Sequence, residues 1–344
     1  MDLLVRGWFV IALAGCAACG RGCGNDPDRP AAVESEGQRF LLCGRIADDG
    51  SEETIEAGTT RLVRKGVVVE RQGEGDGVAR LGVIAGVEEW NEPNRANLQA
   101  LLAWFTREQA EAVILAGGVG PDRETCLNVL QELAGSGLVI MPLIGASADF
   151  QQYRQAVAQA RRAHANIVDL TTARLVRWDG VDLVTLPGYH NPFYLHHRRG
   201  GCAYQERDVE ALAELVAEAR QPVMLVAAAP PRGSTAHAID LARGGVNIGD
   251  PALTRMISER RVPFGVFGHV YEAGGRATSD VAGRAPVPEG RWSKSLYLNP
   301  GAAEAVPYDL QGGGHSRGMG ALIEVGAEGA RFRLFKVDAG PAEG

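Results

Sequence analysis

The sequence lacks several features that would assign it to a common class. After the first fifteen residues it has no run of about 18 uninterrupted apolar residues, the length that a transmembrane helix requires. Its 35 basic and 42 acidic residues give a net charge of −7, which offers no electrostatic footprint for nucleic acid. It has no metal-type pair of CxxC motifs. The chain is rich in glycine, with 45 Gly in 344 residues, which suggests many tight turns between strands and helices. The fold and function must therefore be inferred mainly from these turns and loops.

Two further catalytic motifs are incomplete in loops whose composition resembles them. The glycine-rich stretch over residues 116–120 has neither the GxGxxG pattern nor the P-loop lysine of nucleotide-binding sites. The stretch Gly145-Ala146-Ser147-Ala148-Asp149 lacks the second glycine of a GxSxG nucleophile elbow. Nucleotide binding and Ser-His-Asp hydrolysis are therefore not supported by these loops.

The amino terminus has the pattern of an export signal. Arg6 precedes an apolar stretch, residues 7–15, that is too short to span a bilayer. The stretch ends in Leu13-Ala14-Gly15-Cys16, which resembles the lipobox of bacterial lipoproteins. That resemblance implies that residues 1–15 are a signal peptide and that Cys16 carries the lipid. The alternative is an ordinary cleavage site that leaves Cys16 as a free or disulfide-bonded thiol.

Composition divides the rest of the chain into four segments. Residues 16–37 are small, charged and proline-containing, which predicts a flexible tether after the lipidated cysteine. Residues 38–80 contain short β-rich runs and predict an N-terminal appendage, an edge hairpin or a small sheet. Residues 81–338 form the main domain, and residues 339–344 are predicted to be a disordered tail. We expect an exported protein, held at the cell envelope by its lipid alone and facing the outer membrane or the periplasm.

From residue 81 onward, strand and helix patterns alternate. Apolar runs at residues 81–85, 112–116 and 138–144 predict strands, and apolar stripes at helical spacing predict helices between them. This order implies a parallel sheet with right-handed crossovers. Later in the chain, Asp208 and Asp250 are predicted to be helix N-caps.

The loops after the predicted strands form a recognisable series. In chain order they are Ala85-Gly86-Val87-Glu88, Ala116-Gly117-Gly118-Val119-Gly120, Ile144-Gly145-Ala146-Ser147-Ala148-Asp149, Val226-Ala227-Ala228-Ala229-Pro230-Pro231, Phe267-Gly268-His269-Val270-Tyr271 and Leu298-Asn299-Pro300-Gly301. In order and spacing they are similar to the calcineurin-like metallophosphoesterases. The resemblance covers about residues 81–338 and implies a four-layer α/β/β/α sandwich, an α/β fold with these loops at one cleft.

That resemblance implies two divalent ions about 3.5–4 Å apart, yet this sequence departs from the ligand pattern. The positions that align with the family's ligands and catalytic groups are Gly86, Glu88, Gly118, Ala146, Ser147, Ala228, His269 and Tyr271. Only His269 keeps a ligand of the family, with Glu88 as a possible oxygen donor. Since Gly and Ala cannot coordinate through side chains, we expect no catalytic residues, no metal cofactor and a pseudoenzyme.

A relocated metal site is the main alternative. The loop Gly188–His197 concentrates three histidines, and with the cleft residues it offers one set of ligands: Glu88, His190, His196, His197 and His269. Such a site would hold one divalent metal, Mn, Fe or Zn, and would make the protein an active phosphoesterase with an altered or single-metal centre. The competing interpretation is an exposed aromatic and basic loop.

Three functions therefore remain open from the sequence. The first is a non-catalytic binding or scaffold lipoprotein whose partner is an unidentified envelope protein or small ligand. The second is the phosphoesterase with the altered centre. The third is a structural component of the envelope. The sequence predicts no nucleic-acid partner, and contact with a membrane through the lipid anchor only.

Overall fold

The computed structural model describes residues 40–197 and 199–337, so the predicted signal peptide, Cys16 and the tail 339–344 lie outside the described residues. The helices are α1 (Glu92–Arg107), α2 (Arg123–Ala134), α3 (Phe150–Ala163), α4 (Glu206–Ala217) and α5 (Pro251–Arg260), with 3-10 turns at Pro192–Tyr194 and Tyr271–Ala273. Within the described part of the chain, no helix has the length and apolarity needed to span a bilayer.

Strands make up most of the remaining regular structure. They are β1 (Leu41–Leu42), β2 (Glu52–Ala57), β3 (Thr60–Lys65), β4 (Val68–Gln72), β5 (Ala79–Ile84), β6 (Ala112–Ala116), β7 (Val139–Leu143), β8 (Leu175–Trp178), β9 (Val181–Leu186), β10 (Cys202–Ala203), β11 (Val223–Ala227), β12 (Leu241–Ala242), β13 (Val246–Asn247), β14 (Phe264–Phe267), β15 (Ala277–Thr278), β16 (Leu296–Leu298), β17 (Tyr308–Asp309), β18 (His315–Ser316), β19 (Met319–Gly326) and β20 (Gly329–Lys336).

Two large sheets organise these strands. One has the strand order β20-β19-β5-β6-β7, and the other has the order β15-β16-β14-β11-β9-β8-β4-β3-β2. The strands β5, β6 and β7 are parallel, as are β9, β11, β14 and β16. Helices α1, α2, α4 and α5 make the crossovers between these strands, except that the connection from β14 to β16 contains only the 3-10 turn Tyr271–Ala273 and β15. The terminal hairpin β19–β20 pairs antiparallel with β5 and closes the first sheet.

Three layers of buried side chains show that the molecule is a four-layer sandwich. The central layer joins the two sheets, with Val83 and Met141 from one and Leu183 and Val266 from the other. A second layer packs α1, α2 and α3 on the outer face of the smaller sheet. A third packs α4 and α5 on the outer face of the larger sheet. The predicted α/β/β/α sandwich is therefore confirmed, and each layer consists of buried aliphatic and aromatic side chains.

The β-rich segment before residue 80 contributes to the larger sheet. Its strands β2, β3 and β4 form an antiparallel meander, and β4 pairs in parallel with β8. The meander therefore extends the edge of the nine-stranded sheet. A disulfide between Cys43 and Cys202 fastens the start of the described chain to the segment before α4, whereas Cys126 is a free, buried thiol.

The caps of α4 and α5 differ in their agreement with the sequence patterns. Asp250 is the N-cap of α5, where its side chain accepts a hydrogen bond from the backbone N–H of Ala252, as predicted. The N-cap of α4 is Gln205, so the prediction for Asp208 is wrong by three residues. Asp208 occupies the third helical position and accepts from the backbone N–H of Gln205 as the second half of a capping box.

Candidate functional site

The predicted site loops meet at one edge of the sandwich. Each loop leaves the carboxyl end of a parallel strand, namely β5, β6 and β7 in the smaller sheet and β9, β11, β14 and β16 in the larger one. The carboxyl ends of parallel strands share an edge, which is where ligands bind in α/β sheets. We call the space enclosed by these loops the cleft.

The floor of the cleft is occupied by an aromatic side chain. Gly86 and Gly118 have φ angles of 68° and 65°. A Cβ placed on Gly86 would lie 2.7 Å from Cε1 and Cζ of Tyr271, and one on Gly118 would lie 2.8 Å from the Tyr271 hydroxyl oxygen. These distances are well inside van der Waals contact. The phenol therefore fills the space into which side chains at positions 86 and 118 would extend.

Small residues bring the two sheets close together behind this ring. A Cβ on Gly117 would lie 2.8 Å from Cβ of Ala228, and one on Gly145 would lie 3.2 Å from the same atom. The neighbouring Ala146 is buried and accepts a hydrogen bond through its carbonyl from the backbone N–H of His196. Ala228 and Ala146 thus serve packing and backbone contacts, with no donor atom in either side chain.

The hydroxyl of Tyr271 donates a 3.0 Å hydrogen bond to Oε1 of Glu88. Burial raises the pKa of Glu88, and the hydroxyls of Ser147 and Tyr271 partly oppose that rise. Ser147 Oγ and Glu88 Oε2 are both buried, and neither has a hydrogen-bond partner. The carboxyl group of Glu88 is thus hydrogen-bonded to the hydroxyl of Tyr271.

A second carboxylate, absent from the sequence prediction, completes this polar cluster. Glu304, 1% exposed, accepts the backbone N–H of Glu88 at 3.1 Å and the hydroxyl of Tyr308 at 2.5 Å. Burial raises the pKa of Glu304, and the nearby carboxylate of Glu88 adds to the rise. The ring of Tyr308 lies 4.8 Å from that of Tyr271. A charged residue three positions after the Asn-Pro-Gly motif was the available signal in the sequence.

The Asn-Pro-Gly motif itself acts on the backbone. Asn299 is fully buried and donates through Nδ2 to the carbonyl oxygens of Ile239 and Val270, at 3.1 and 2.8 Å. Its Oδ1 accepts the N–H of Gly301 at 3.0 Å. By holding Val270, Asn299 fixes the turn that presents His269 and Tyr271 to the cleft.

His269 stands on the opposite side of the cleft in a strained backbone conformation. Its φ of 66° is in the left-handed region, which non-glycine residues rarely adopt and which is concentrated at functional sites. Its ring centroid lies 6.4 Å from that of Tyr271 and 4.3 Å from that of Tyr189. Burial lowers the pKa of His269 to about 4, and the charges of His196 and His190 add to the lowering. The imidazole is therefore neutral at pH 7.

The loop Gly188–His197 arches over this side of the cleft. Besides the Tyr189 contact, the ring of Tyr194 lies 6.0 Å from that of His269. Burial also lowers the pKa values of His190 and His196. His190 Nδ1 and His197 Nε2 are buried without a hydrogen-bond partner, so two of the loop histidines have an unsatisfied ring nitrogen.

The donors present do not fit a binuclear metal centre. Each ion of such a centre needs several oxygen or nitrogen ligands, with carboxylates to offset the added charge. Beside the Tyr271 ring, the floor of the cleft is formed by Gly86, Gly118 and Ala228, and none of these residues has a side-chain atom that could coordinate a metal ion. Across residues 40–197 and 199–337, no group of three or more His, Cys, Asp or Glu side chains is placed to hold a metal ion.

No protein-family profile and no curated protein matches this chain. Solved structures do match it. One crystal structure is 14% identical, with a TM-score of 0.54 over 76% of this chain and 100% of its own. The protein TT1561 of Thermus thermophilus is 13% identical, with a TM-score of 0.50 over 74% of this chain and 98% of its own. A dimetal phosphatase from Danio rerio is 11% identical and covers 76% of this chain and 99% of its own, with a TM-score of 0.44. At these identities the likeness to the first two structures shows the fold alone, an α/β sandwich.

Proposed function

We propose that this protein has a metallophosphoesterase-like fold without metal-dependent catalysis and acts as a binding or scaffold component of the bacterial envelope. The observation that carries this proposal is the position of Tyr271. Its ring lies 2.7 Å from the Cβ that any side chain at position 86 would require. A carboxylate at Gly86 or Gly118 could extend into the cleft only if this phenol moved away.

Charge supports the same conclusion. Two divalent ions would bring four positive charges into a cleft whose floor has no carboxylate at Gly86 or Gly118. The nearby carboxylates, Glu88 and Glu304, have raised pKa values because they are buried, and both accept hydrogen bonds from the protein. An ion would have to displace these bonds and desolvate further groups, at a cost that Glu88 and His269 alone do not offset.

Export and lipid attachment are part of the proposal. The apolar stretch before Cys16 and its resemblance to a lipobox support an acyl-anchored protein. The disulfide between Cys43 and Cys202 also favours an exported protein, because such bonds persist in oxidising compartments and are rare in the cytosol. The partner would be a small ligand or another envelope protein, bound outside the cytosol.

A second candidate is a phosphoesterase with one metal ion, and a specific observation favours it. The loop Gly188–His197 packs against His269, and the buried nitrogens His190 Nδ1 and His197 Nε2 have no hydrogen-bond partner. Unsatisfied buried imidazole nitrogens are costly unless something binds them. A shift of this loop that joined His190, His196 and His197 to Glu88 and His269 would assemble a centre for Mn, Fe or Zn.

Turnover of an activated phosphodiester by the full chain distinguishes the two candidates. We expect the rate in the presence of Mn²⁺, Zn²⁺ or Fe²⁺ to equal the background, and to be the same in His269→Ala, His196→Ala and the control His164→Ala. His164 lies at the end of α3, outside the cleft. Activity lost in His269→Ala and His196→Ala, but kept in His164→Ala, would establish the single-metal enzyme and contradict the pseudoenzyme proposal.

A further inference from the structure

The loop of residues 188–204 combines basic, aromatic and exposed apolar residues. Residues 188–204 contain no Asp or Glu in a chain of net charge −7, and they include Arg198, Arg199, three His and four aromatic residues. Among the described residues the large apolar side chains that are exposed are Phe193 at 86%, Val246 at 55% and Val306 at 44%. The most exposed large apolar side chain of the described chain thus lies in a loop that is both basic and aromatic.

The loop presents this side chain from a fixed turn. Phe193 is the middle residue of the 3-10 turn Pro192–Tyr194, and Asn191 caps the turn by accepting the N–H of Phe193 at 3.1 Å. On the inner side, Tyr194 and Tyr189 pack against His269. Because its neighbours are anchored in this way, Phe193 projects outward from a rigid base.

The chain that leads from the proposed lipid anchor arrives beside this loop. Strand β1 pairs in parallel with β10, and the Cys43–Cys202 disulfide fixes the pairing. Phe40, where the described chain begins, lines the same cavity of about 360 Å³ as His190 and Pro192. The segment between Cys16 and the folded domain therefore ends within the surface that displays Phe193.

The length of that segment limits how far from the bilayer the loop could lie if Cys16 carries the lipid. Residues 17–39 connect Cys16 to the domain. A flexible coil of that length has a root-mean-square span of about 26 Å, less than the diameter of a domain this size. A lipid anchor that reaches the domain on the side where the loop lies would hold the loop at a high effective concentration near the bilayer. A weak affinity of the loop for the bilayer would then suffice for contact.

We propose that residues 191–197 and Arg199 dock on the surface of a bilayer that contains anionic phospholipid, with Phe193 inserted at the interface and Arg199 against the headgroups. This proposal rests on the lipid anchor of the proposed function. Aromatic side chains favour the membrane interface, and basic residues add attraction to anionic lipids. The docked face is also the side of the cleft formed by Tyr189 and His269, so docking would turn that side toward the bilayer.

A control position lies at the opposite edge of the sandwich. The β2–β3 turn containing Thr59 is exposed, and strand pairing relates it through β4 and β8 to the amino end of β9. Phe193 follows the carboxyl end of β9. Thr59 is therefore also in contact with solvent but should face away from the bilayer.

The test uses the full, processed chain reconstituted in vesicles of phosphatidylethanolamine and phosphatidylglycerol, with or without brominated acyl chains. Tryptophan emission of Phe193→Trp and Thr59→Trp is measured after subtraction of the wild-type signal. We expect brominated lipid to quench Phe193→Trp at least about two-fold and to leave Thr59→Trp unchanged. Phosphatidylcholine vesicles, or the added change Arg199→Glu, should weaken the quenching.

Flotation with the vesicles and the mass of the Cys16 peptide separate the two proposals. A protein that does not float and has unmodified Cys16 contradicts the anchor. A protein that floats while brominated lipid quenches Phe193→Trp no more than Thr59→Trp contradicts the docking, and would leave the loop as a surface for a protein partner.

Discussion

Replacing Gly86 by alanine measures directly whether Tyr271 fills the space beside position 86. The new Cβ would lie 2.7 Å from two ring carbons and 3.0 Å from the hydroxyl oxygen, all in one side chain. It would also sit at a φ of 68°, which alanine tolerates at a cost of roughly 1–2 kcal/mol. Overpacking adds roughly 1–3 kcal/mol. We expect Gly86→Ala to lower the free energy of unfolding by roughly 2–5 kcal/mol.

Gly137 provides the matched control, because its φ is 79° and no atom lies within 4 Å of its Cβ position. Gly137→Ala therefore reports the backbone cost alone, roughly 1–2 kcal/mol. Tyr271→Ala should itself cost roughly 3–5 kcal/mol through the cavity it leaves. In that background the steric clash is gone, so Gly86→Ala should cost no more than Gly137→Ala.

The assay is urea unfolding of the four variants of the Gly86 and Tyr271 cycle, together with Gly137→Ala. The coupling free energy should be roughly 1–3 kcal/mol, equal to the steric part of the Gly86→Ala cost. A Gly86→Ala cost equal to that of Gly137→Ala, or a coupling near zero, would refute the conclusion that the phenol fills the cleft.

Three further perturbations follow. Replacing both Cys43 and Cys202 by serine should lower the unfolding free energy by roughly 2–5 kcal/mol, since the bond closes a loop with a sequence separation of 159, whereas adding reductant to that variant should change nothing further. The pKa of His269 is lowered to about 4, so the stability that its neutral form gives is full above pH 6.5 and is lost as the pH falls toward 4. Between pH 7 and 5 the free energy of unfolding in urea should therefore fall on the order of 1–2 kcal/mol more for the wild type than for His269→Phe. Equal losses in the two proteins would contradict this account. Burial raises the pKa of Glu88, so its contribution to stability is present at low pH and is lost as the pH rises through its pKa in the folded protein. Glu88→Gln, which keeps an acceptor oxygen, should therefore lower the free energy of unfolding by less than about 1 kcal/mol at pH 7. A loss above about 2 kcal/mol would show that the ionised carboxylate is needed.

The sandwich was predictable because its signals are local and repeated. Apolar runs such as Ala112–Ala116 are buried strands, and glycines at their ends permit the sharp turns that keep the loops at one edge. The cap of α4 was misplaced because Asp208, Gln205 and Glu206 all suit a helix start, and only the backbone geometry distinguishes the N-cap from the third helical position.

The content of the cleft was only partly predictable. The sequence shows that Gly86 and Gly118 have no side-chain ligand atoms. It does not show that the phenol of Tyr271 lies beside them, because that contact joins residues far apart in the chain and depends on the packing of two sheets. Glu304 and Tyr308 were not predicted as site residues for the same reason. Whether the loop Gly188–His197 covered the cleft also depended on tertiary contacts, namely those of Tyr189 and Tyr194 with His269.

The most direct test of the central claim is the metal content of the full chain after incubation with excess Mn²⁺, Zn²⁺ or Fe²⁺ and desalting. Because the floor of the cleft has no donor side chain and Tyr271 fills its space, we predict less than roughly 0.1 metal ion per chain, and the same value for His269→Ala. One or two ions per chain, lost on replacement of His269 or of His196, would contradict the account and establish a rebuilt metal centre.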